Sequence, residues 1–310
     1  TYTIYAVDNA GNAAVSEITV NTYPTLGVVV DQSFAEDSSA NVTFAVGDNE
    51  TSAGDLVVAA SADDSVLFPS LSPVNTAGSV SLDLIPAADQ SGSTVVTVTV
   101  TDGGSLVTSE NFNVTVSSVN DAPVAQNDTV VTDEDVTKEF DVLGNDTDVD
   151  SGDTLTIDSV SGVQNATVTI ATDKKSLTFD PAANWNGTET FSYTIIDSGG
   201  LTDSANVAVV VGSVNDAPQA TDDTASVNED ASVTINVLDN DSDVDVATNA
   251  DSLSIKSVAD LDNGDFEYST DHKSIIFTPH SNWNGTEIFS YTVVDSHDAE
   301  DTATVTVTVI

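Results

Sequence analysis

The sequence repeats itself with a spacing of 95 residues, and this internal repeat limits the possible folds more than any other feature. The segment NDAP at residues 120–123 returns at 215–218, and the pair Glu134-Asp135 returns at the same spacing as Glu229-Asp230. Self-similarity at a fixed period indicates an array of like units. A unit of this length is enough chain for one small domain. The sequence therefore predicts tandem domains of one kind.

The repeat also predicts the domain boundaries. The segment NWNG at 184–187 returns at 282–285, a spacing of 98 residues, which places three extra residues between 246 and 250. Insertions belong in loops, so we expect a surface turn there. An earlier, more divergent unit aligns PAADQSG at 86–92 with PAANWNG at 181–187. We expect four segments: the C-terminal end of an upstream β-sandwich domain at 1–21, a divergent domain at 22–119, and two further domains at 120–214 and 215–310.

Within each unit the hydrophobic residues form short, alternating and β-branched runs. Examples are residues 95–101, 189–196 and 288–294, which are bounded by Gly, Asp, Asn or Pro. Alternation with a period of two is typical of half-buried strands, and no segment predicts a long helix. Several short strands per unit favour an immunoglobulin-like sandwich. The predicted fold class is all-β, with tandem immunoglobulin-like or cadherin-like sandwich domains in an extended rod.

The charge of the chain excludes two classes of partner. The sequence has 51 Asp plus Glu against 5 Lys plus Arg, and its formal net charge is −46. Such a surface repels phosphate backbones and anionic lipids. No run is long and apolar enough to span a membrane, and the absence of cysteine excludes disulfides and thiolate sites. We expect no nucleic-acid partner and no membrane insertion of this segment.

Two acidic runs are the strongest candidates for a binding site. They share one pattern of alternating carboxylates, which comprises Asp146, Asp148, Asp150 and nearby Asp153 in one unit, and Asp241, Asp243, Asp245 and nearby Asp251 in the next. Convergence of such side chains is favourable only around a cation, and a set of oxygen ligands suits calcium. The alternative interpretation is a solvated acidic turn. An EF-hand is excluded, because neither run has the Gly at position six or the Glu at position twelve.

These residues resemble the linker pattern of cadherins. The resemblance rests on the NDAP segments, the Asp-x-Asp runs and the Asp197-x-Gly199 turn. More specifically, residues 22–310 are similar to the cadherin-like repeats of bacterial repeats-in-toxin surface adhesins. The resemblance implies that neighbouring domains share Ca²⁺ at the joints between them, which we call the first joint (residues 21–24), the middle joint (120–123) and the last joint (215–218).

The resemblance also implies a set of ligands at two of the joints. Each set combines a Glu of the upstream domain, the linker Asn and Asp, and carboxylates of the downstream domain. The implied residues are Glu36, Asn120, Asp121, Asp146, Asp148 and Asp197 at the middle joint, and Glu134, Asn215, Asp216, Asp241, Asp243 and Asp295 at the last joint. Two further predicted metal ligands, Asp150 and Asp245, complete the acidic runs.

The chain departs from the cadherin pattern in two places. The first joint reads NTYP, so Thr22 replaces the linker Asp, and its downstream partner is the degenerate run Asp48-Asn49-Glu50. A neutral hydroxyl is a weaker calcium ligand than a carboxylate, so we expect little or no calcium at this joint. The Leu-Asp-Arg-Glu motif of cadherins is also missing, because the chain has no arginine, and Asp180 is its loose counterpart.

Enzymatic activity has little support in the sequence. The three histidines all lie in the last unit, and Asp295-Ser296-His297 is contiguous, whereas a catalytic triad is built from distant segments. The two tryptophans, Trp185 and Trp283, either plug one end of their sandwich or offer sugar-stacking platforms. Recurrence of a large ring within a structural repeat favours the packing role.

The expected function is therefore structural. We expect a calcium-rigidified extender of a large bacterial adhesin, extracellular on a Gram-negative cell surface and involved in cell adhesion or biofilm formation. Its partners would be the neighbouring repeats of the same chain and, through the parent adhesin, a cell-surface glycan or protein. The alternative is a carbohydrate-binding module that recognises an extracellular polysaccharide.

Overall fold

The computed structural model describes residues 2–248 and 251–310. Its regular structure consists of strands and one single-turn helix, which confirms the predicted all-β class. Contacts divide the chain into one unit of residues 1–125, 145–156 and 195–204 and another of 126–144, 157–194 and 205–310. No helix in the described part of the chain is long and apolar enough to cross a membrane.

Residues 2–117 contain a hairpin followed by a sandwich. The strands are β1 (Tyr2–Val7), β2 (Ala13–Ile18), β3 (Thr25–Leu26), β4 (Gln32–Ala35), β5 (Ala40–Gly47), β6 (Val57–Ala62), β7 (Val74–Thr76), β8 (Ser79–Leu84), β9 (Gly92–Thr101) and β10 (Val107–Ser117). β1 and β2 form a two-stranded antiparallel sheet. The other eight strands form two sheets, in the orders β4-β10-β9-β6 and β3-β5-β8-β7.

The next sandwich begins at residue 128. Its strands are β11 (Asp128–Asp133), β12 (Lys138–Asp141), β13 (Thr156–Ser161), β14 (Ala166–Ile170), β15 (Ser176–Pro181), β16 (Gly187–Ile196) and β17 (Thr202–Gly212). They form sheets in the orders β11-β17-β16-β13 and β12-β15-β14. β11 pairs in parallel with β17, the last strand of the sandwich, as β4 does with β10 in the preceding sandwich.

The last sandwich has the same plan. Its elements are β18 (Asp223–Val227), β19 (Val233–Ile235), α1 (Asp245–Thr248), β20 (Ser254–Ala259), β21 (Gly264–Tyr268), β22 (Ile275–Pro279), β23 (Gly285–Val294) and β24 (Glu300–Val309). The sheet orders are β18-β24-β23-β20 and β19-β22-β21. The predicted surface turn at 246–250 begins within α1, and its last two residues, 249 and 250, lie outside the described residues.

The core follows from the alternation of the long strands. In β9, Val96, Val98 and Val100 are fully buried, whereas the Thr residues between them are half-buried. Stacked phenylalanines join the two sheets of the later sandwiches, with ring centroids 6.3 Å apart for Phe179 and Phe191. Burial of such rings supplies much of the stability of a sandwich, because each removes a large apolar area from water.

The two tryptophan turns lie at the margin of the core. Trp185 and Trp283 are half-buried, and Trp283 packs against the buried cluster of the last sandwich. Each indole covers the glycine two residues later. A Cβ on Gly285 would lie 3.2 Å from Trp283 Cζ2, and the φ angle of that glycine is +145°. The glycine therefore lets the ring fold back over the backbone.

Candidate metal centres

Short bridges hold each linker against the acidic loop of the following sandwich. Val124 and Thr147 exchange two backbone hydrogen bonds of 2.8 and 3.1 Å. Gln219 and Ser242 exchange equivalent bonds of 2.7 and 3.1 Å. These bridges bring the NDAP segment and the Asp-x-Asp run together at each of the two joints, because one partner of each bridge follows the linker and the other lies within the acidic run.

At the middle joint, four hydrogen bonds fix the acidic side chains. Val119 N donates to Glu36 Oε1 (2.8 Å), and Asp121 N donates to Asp150 Oδ2 (2.7 Å). Asn120 Nδ2 donates to Asp197 Oδ2 (2.8 Å), and Asp150 N donates to Asp148 Oδ1 (2.9 Å). We call this group, Glu36 with Asn120, Asp121, Asp148, Asp150, Asp153 and Asp197, the Asp121 centre.

Carboxylate oxygens of the Asp121 centre converge in two overlapping groups. Oxygens of Glu36, Asp121 and Asp150 lie within 4.8 Å of one another, and so do oxygens of Asp148, Asp150 and Asp153. Asp150 belongs to both groups. Since anions repel at such distances, the arrangement is favourable only when positive charge is placed between them.

The last joint repeats the four hydrogen bonds of the middle joint. Val214 N donates to Glu134 Oε1 (2.7 Å), Asn215 Nδ2 to Asp295 Oδ2 (2.7 Å), and Asp216 N to Asp245 Oδ2 (2.8 Å). Asp245 N in turn donates to Asp243 Oδ1 (2.8 Å). We call this group, Glu134 with Asn215, Asp216, Asp243, Asp245, Asp251 and Asp295, the Asp216 centre.

Several acceptor oxygens of the Asp216 centre are buried without a donor. Among the described residues, no group donates a hydrogen bond to Asn215 Oδ1, Asp216 Oδ2, Asp243 Oδ2 or Asp251 Oδ2. Asp148 Oδ2 is in the same state at the middle joint. A buried acceptor without a partner costs about 1–3 kcal/mol, and more when it is charged. Oxygens that lack protons to accept are suited to a hard cation.

The electrostatics of both centres reflect the crowding of like charges. Burial, and after it the charges of Asp37, Asp89, Asp150 and Glu36, raise the pKa of Asp121 above its ordinary value. At the last joint, burial and then the neighbouring carboxylates raise the pKa values of Asp216 and Asp243.

Two other carboxylates have lowered rather than raised pKa values, because they accept hydrogen bonds. Burial acts to raise the pKa of Asp197, but the bonds from Asn120 and from the backbone of Leu201 and Gly200 lower it overall. The Ser296 hydroxyl, with backbone N–H groups, lowers the pKa of Asp251 to about 2. Asp197 and Asp251 are therefore held as anions at neutral pH.

Asp241 lies in different surroundings from the rest of its acidic run. Its Oδ1 accepts hydrogen bonds from Tyr291 Oη (2.8 Å) and Thr221 N (2.8 Å). By contrast, burial and then the charges of Asp251, Asp245 and Asp295 raise the pKa of Asp243. Its counterpart in the preceding unit, Asp146, is half-buried and belongs to neither group of converging oxygens at the middle joint. The two centres thus comprise twelve of the fourteen predicted site residues, and Asp241, which is not among them, has hydrogen-bond donors of its own.

The structure adds carboxylates that sequence reasoning missed. Besides burial, the charges of Asp37 and Asp89 raise the pKa of Asp121, and the charge of Asp135 raises the pKa of Asp216. Asp37 and Asp135 have φ angles of +58°, and each follows the upstream Glu of its joint. The recurrence of the Glu-Asp pair in the sequence could have identified Asp37 and Asp135. No such recurrence could have identified Asp89, because the matching residue in the next unit is Asn184.

The first joint has the same framework but a different chemistry. Asn21 Nδ2 donates to Asp102 Oδ2 (2.9 Å), as the linker Asn does at the other joints. The Thr22 hydroxyl and backbone N–H both donate to Glu50 Oε2, at 2.7 and 3.2 Å. At the other two joints the linker residue is an Asp, whose backbone N–H donates to Asp150 or Asp245. At the first joint, Thr22 thus offers Glu50 a hydroxyl donor where the other joints have a second carboxylate.

The fold and the repeated joints define a protein of tandem immunoglobulin-like sandwich domains with a cadherin-like arrangement of strands. The sequence profile of the bacterial Ig domain matches residues 120–210 and 215–308, which is more than half of the chain. The chain belongs to the bacterial Ig domain family. A comparison with curated protein sequences gave no match.

Solved structures of cadherin type share the fold. Cadherin domains 1–5 of protocadherin gamma B2 align with a TM-score of 0.60 and 16% identity, over 93% of this chain and 60% of that one. The cis-dimer structure of protocadherin gamma B7 domains 3–6 aligns with a TM-score of 0.54 and 16% identity, over 98% of this chain and 83% of that one. This chain is thus similar to about three-fifths of the first structure, and at such low identity the likeness concerns the fold alone.

Proposed function

We propose that this chain is a calcium-binding extender region of a large bacterial cell-surface adhesin, with a structural rather than an enzymatic role. Four consecutive segments, at 1–21, 22–119, 120–214 and 215–310, would be the end of one sandwich domain and three further domains. Calcium at the middle and last joints would remove bending freedom between neighbours. The parent adhesin would then hold a ligand-binding domain away from the cell.

The buried acceptor oxygens of the Asp216 centre carry this proposal. Buried oxygens of Asn215, Asp216 and Asp243 accept no hydrogen bond from any described residue, and burial and crowding raise the pKa values of Asp216 and Asp243. A bound divalent cation would reverse both penalties, because it supplies positive charge and needs oxygen ligands. A solvated acidic turn has no need to bury these atoms.

The donor set fits calcium in its chemistry. At the last joint, carboxylates come from Glu134, Asp216, Asp243, Asp245 and Asp295, and Asn215 adds an amide oxygen. Calcium takes six to eight oxygen ligands in flexible geometry, whereas magnesium demands a strict octahedron and gives up its waters reluctantly. The ion itself would supply only charge neutralisation. The residues of this chain would hold the linker between two domains.

The sharing of ligands across a joint explains how binding would produce rigidity. Glu36 precedes the middle linker by more than eighty residues and already accepts the N–H of Val119 at its start. Asp148 and Asp197 follow the same linker. An ion that binds both sides at once lowers the number of orientations open to the two domains, and this lost freedom is offset by the ion–ligand interactions.

A pair of variants tests the proposal at its sites. We expect Asp121→Asn with Asp216→Asn to lower calcium affinity at both joints by at least about tenfold, because each loses an anionic ligand. The matched control is Asp158→Asn with Asp173→Asn, which removes the same charge from exposed positions outside the centres. Equal calcium affinity of the two double variants, measured by calorimetry, would refute the assignment.

A further inference from the structure

The last joint differs from both other joints at the glycine position of the Asp-x-Gly turn. The turn reads Asp102-Gly103-Gly104 at the first joint and Asp197-Ser198-Gly199 at the middle joint, but the last joint has His297 in place of the glycine. A Cβ on Gly199 would lie 2.0 Å from Asn120 Oδ1, so a side chain at this position requires local adjustment. Among the three joints, only this one presents a nitrogen ligand at the turn.

The imidazole of His297 faces a buried carboxylate. Its Nδ1 lies 3.5 Å from Asp251 Oδ2, and the Asp251 side chain is fully buried whereas the imidazole is 56% exposed. Ligand atoms of Asp251, Asp295 and His297 all lie within 4.8 Å of one another. Asp251 Oδ2 accepts no hydrogen bond from any residue that the structure describes.

Hydrogen bonds hold both carboxylates of this cluster in place. Asp251 Oδ1 accepts from the backbone N–H groups of Ser252 (2.6 Å) and Ser296 (2.8 Å) and from the Ser296 hydroxyl. Asp295 Oδ1 accepts from the backbone of His297 and Ala299, both at 2.8 Å. Such outer contacts orient metal ligands and leave the second oxygen of Asp251 directed at the imidazole.

We infer that Asp251, Asp295 and His297 form a site for a borderline divalent metal ion such as Zn²⁺, which this site prefers to calcium. The inference deepens the proposed function and rests on it, because Asp295 belongs to the Asp216 centre. Imidazole nitrogen with carboxylate oxygen is a ligand set for zinc, nickel or copper, whereas calcium takes oxygen ligands. Ligands bound to one zinc ion at about 2.0–2.2 Å are separated by at most about twice that distance, so small side-chain movements suffice.

The middle joint serves as an internal comparison. Its equivalent residues are Asp153, Asp197 and Gly199, which offer two carboxylates and no imidazole. The inference therefore predicts one zinc ion per chain rather than two when calcium is saturating. The last joint would respond to two kinds of metal, whereas the middle joint would respond to calcium alone.

Zinc titration of the whole chain in saturating calcium tests this inference. We expect one ion per wild-type chain, a loss of at least about tenfold in zinc affinity in His297→Ala, and no change in His272→Ala or His280→Ala. Equal zinc affinity of wild type and His297→Ala would overturn the inference, as would abolition of zinc uptake by calcium.

A second measurement on the wild-type chain needs no variant. In nitrogen-15 spectra of the imidazoles, zinc should shift the Nδ1 resonance of His297 and leave those of His272 and His280 in place. An unchanged His297 resonance at saturating zinc would overturn the inference. The calcium-induced rise in melting temperature, measured on the same samples, reports separately on the proposed function, and His297→Ala should retain it.

Discussion

Asp241 and Asp243 are two residues apart, yet they have different physical roles. Tyr291 and Thr221 donate hydrogen bonds to Asp241, whereas the buried Oδ2 of Asp243 accepts none from the described residues. The alternating pattern predicted that both would bind the same ion. It could not show that the Tyr291 hydroxyl, which comes from a distant strand, provides a partner for one of them.

The first prediction is that removing the charge of Asp243 weakens calcium binding but stabilises the calcium-free protein. In Asp243→Asn, calcium affinity should fall by at least about tenfold, or about 1.4 kcal/mol, because an anionic ligand is lost. Without calcium the same variant should unfold at a higher temperature than wild type, because a half-buried charge crowded by other carboxylates is removed. Calorimetric titration and melting curves measure the two effects, with exposed Asp158→Asn as the control. A lower melting temperature without calcium would contradict the electrostatic account.

The second prediction concerns Asp223, the half-buried neighbour of Asp241. Burial, and then the charge of Asp241, raise the pKa of Asp223 to about 6. A raised carboxyl pKa means that the folded state binds a proton more readily than the unfolded chain. Its contribution to stability is thus fully present below pH 3.8 and is lost as the pH rises through about 6.

The test is to follow wild type and Asp223→Asn by urea unfolding from pH 4 to pH 7 without calcium. The free energy of unfolding of wild type relative to the variant should decline across this interval. A constant difference would show that Asp223 is ionised throughout and that its surroundings are more polar than the structure indicates.

At the scale of elements, strand periodicity was sufficient to predict the fold. The runs at 95–101, 189–196 and 288–294 all lie within the longer strands β9, β16 and β23. A period of two in the hydrophobic residues is the direct signature of a half-buried strand, so long strands of this kind are read reliably from sequence. Short strands such as β3 and β7 were not predicted, because two or three residues carry no period.

The candidate site could be predicted only where the repeat preserved it. The linker Asn and Asp and the Asp-x-Asp runs recur, so their convergence could be expected. Asp89 could not be found in this way, since the next unit has Asn184 at that position. The proximity of His297 to Asp251 could not be predicted either, because the two residues are far apart in the sequence and the preceding units have glycine at the histidine position.

The third prediction compares the joints as elements. Calcium should narrow the range of distances across the middle and last joints but not across the first, where Thr22 donates to Glu50 in place of a shared ion. The chain has no cysteine, so exposed Val15, Val57, Val131 and Ile288 can be replaced in pairs by Cys for spin labels. Pulsed electron resonance with and without calcium gives the distance distributions. Equal narrowing at all three joints would show that the first joint also binds an ion.

At the scale of the whole molecule, the net charge of −46 leads us to expect that stability depends on cations. The fourth prediction is that chelation lowers the melting temperature. An ion that binds only the folded state adds RT ln(1 + [L]/Kd), or about 2.7 kcal/mol at a hundredfold excess over Kd. The gain should shrink as the pH falls from neutral, because the raised pKa values of Asp121, Asp216 and Asp243 let protons compete early. Melting curves in calcium and in chelator, at several pH values, measure both effects, and a gain independent of pH would contradict the assignment of these carboxylates.

The most direct test of calcium binding at the joints is a calorimetric titration of the metal-free chain with calcium at neutral pH. The account predicts saturable uptake whose affinity falls by at least about tenfold in the double variant Asp121→Asn with Asp216→Asn and is kept in Asp158→Asn with Asp173→Asn. No saturable uptake by the wild-type chain at millimolar calcium, or uptake that both double variants retain in full, would contradict it.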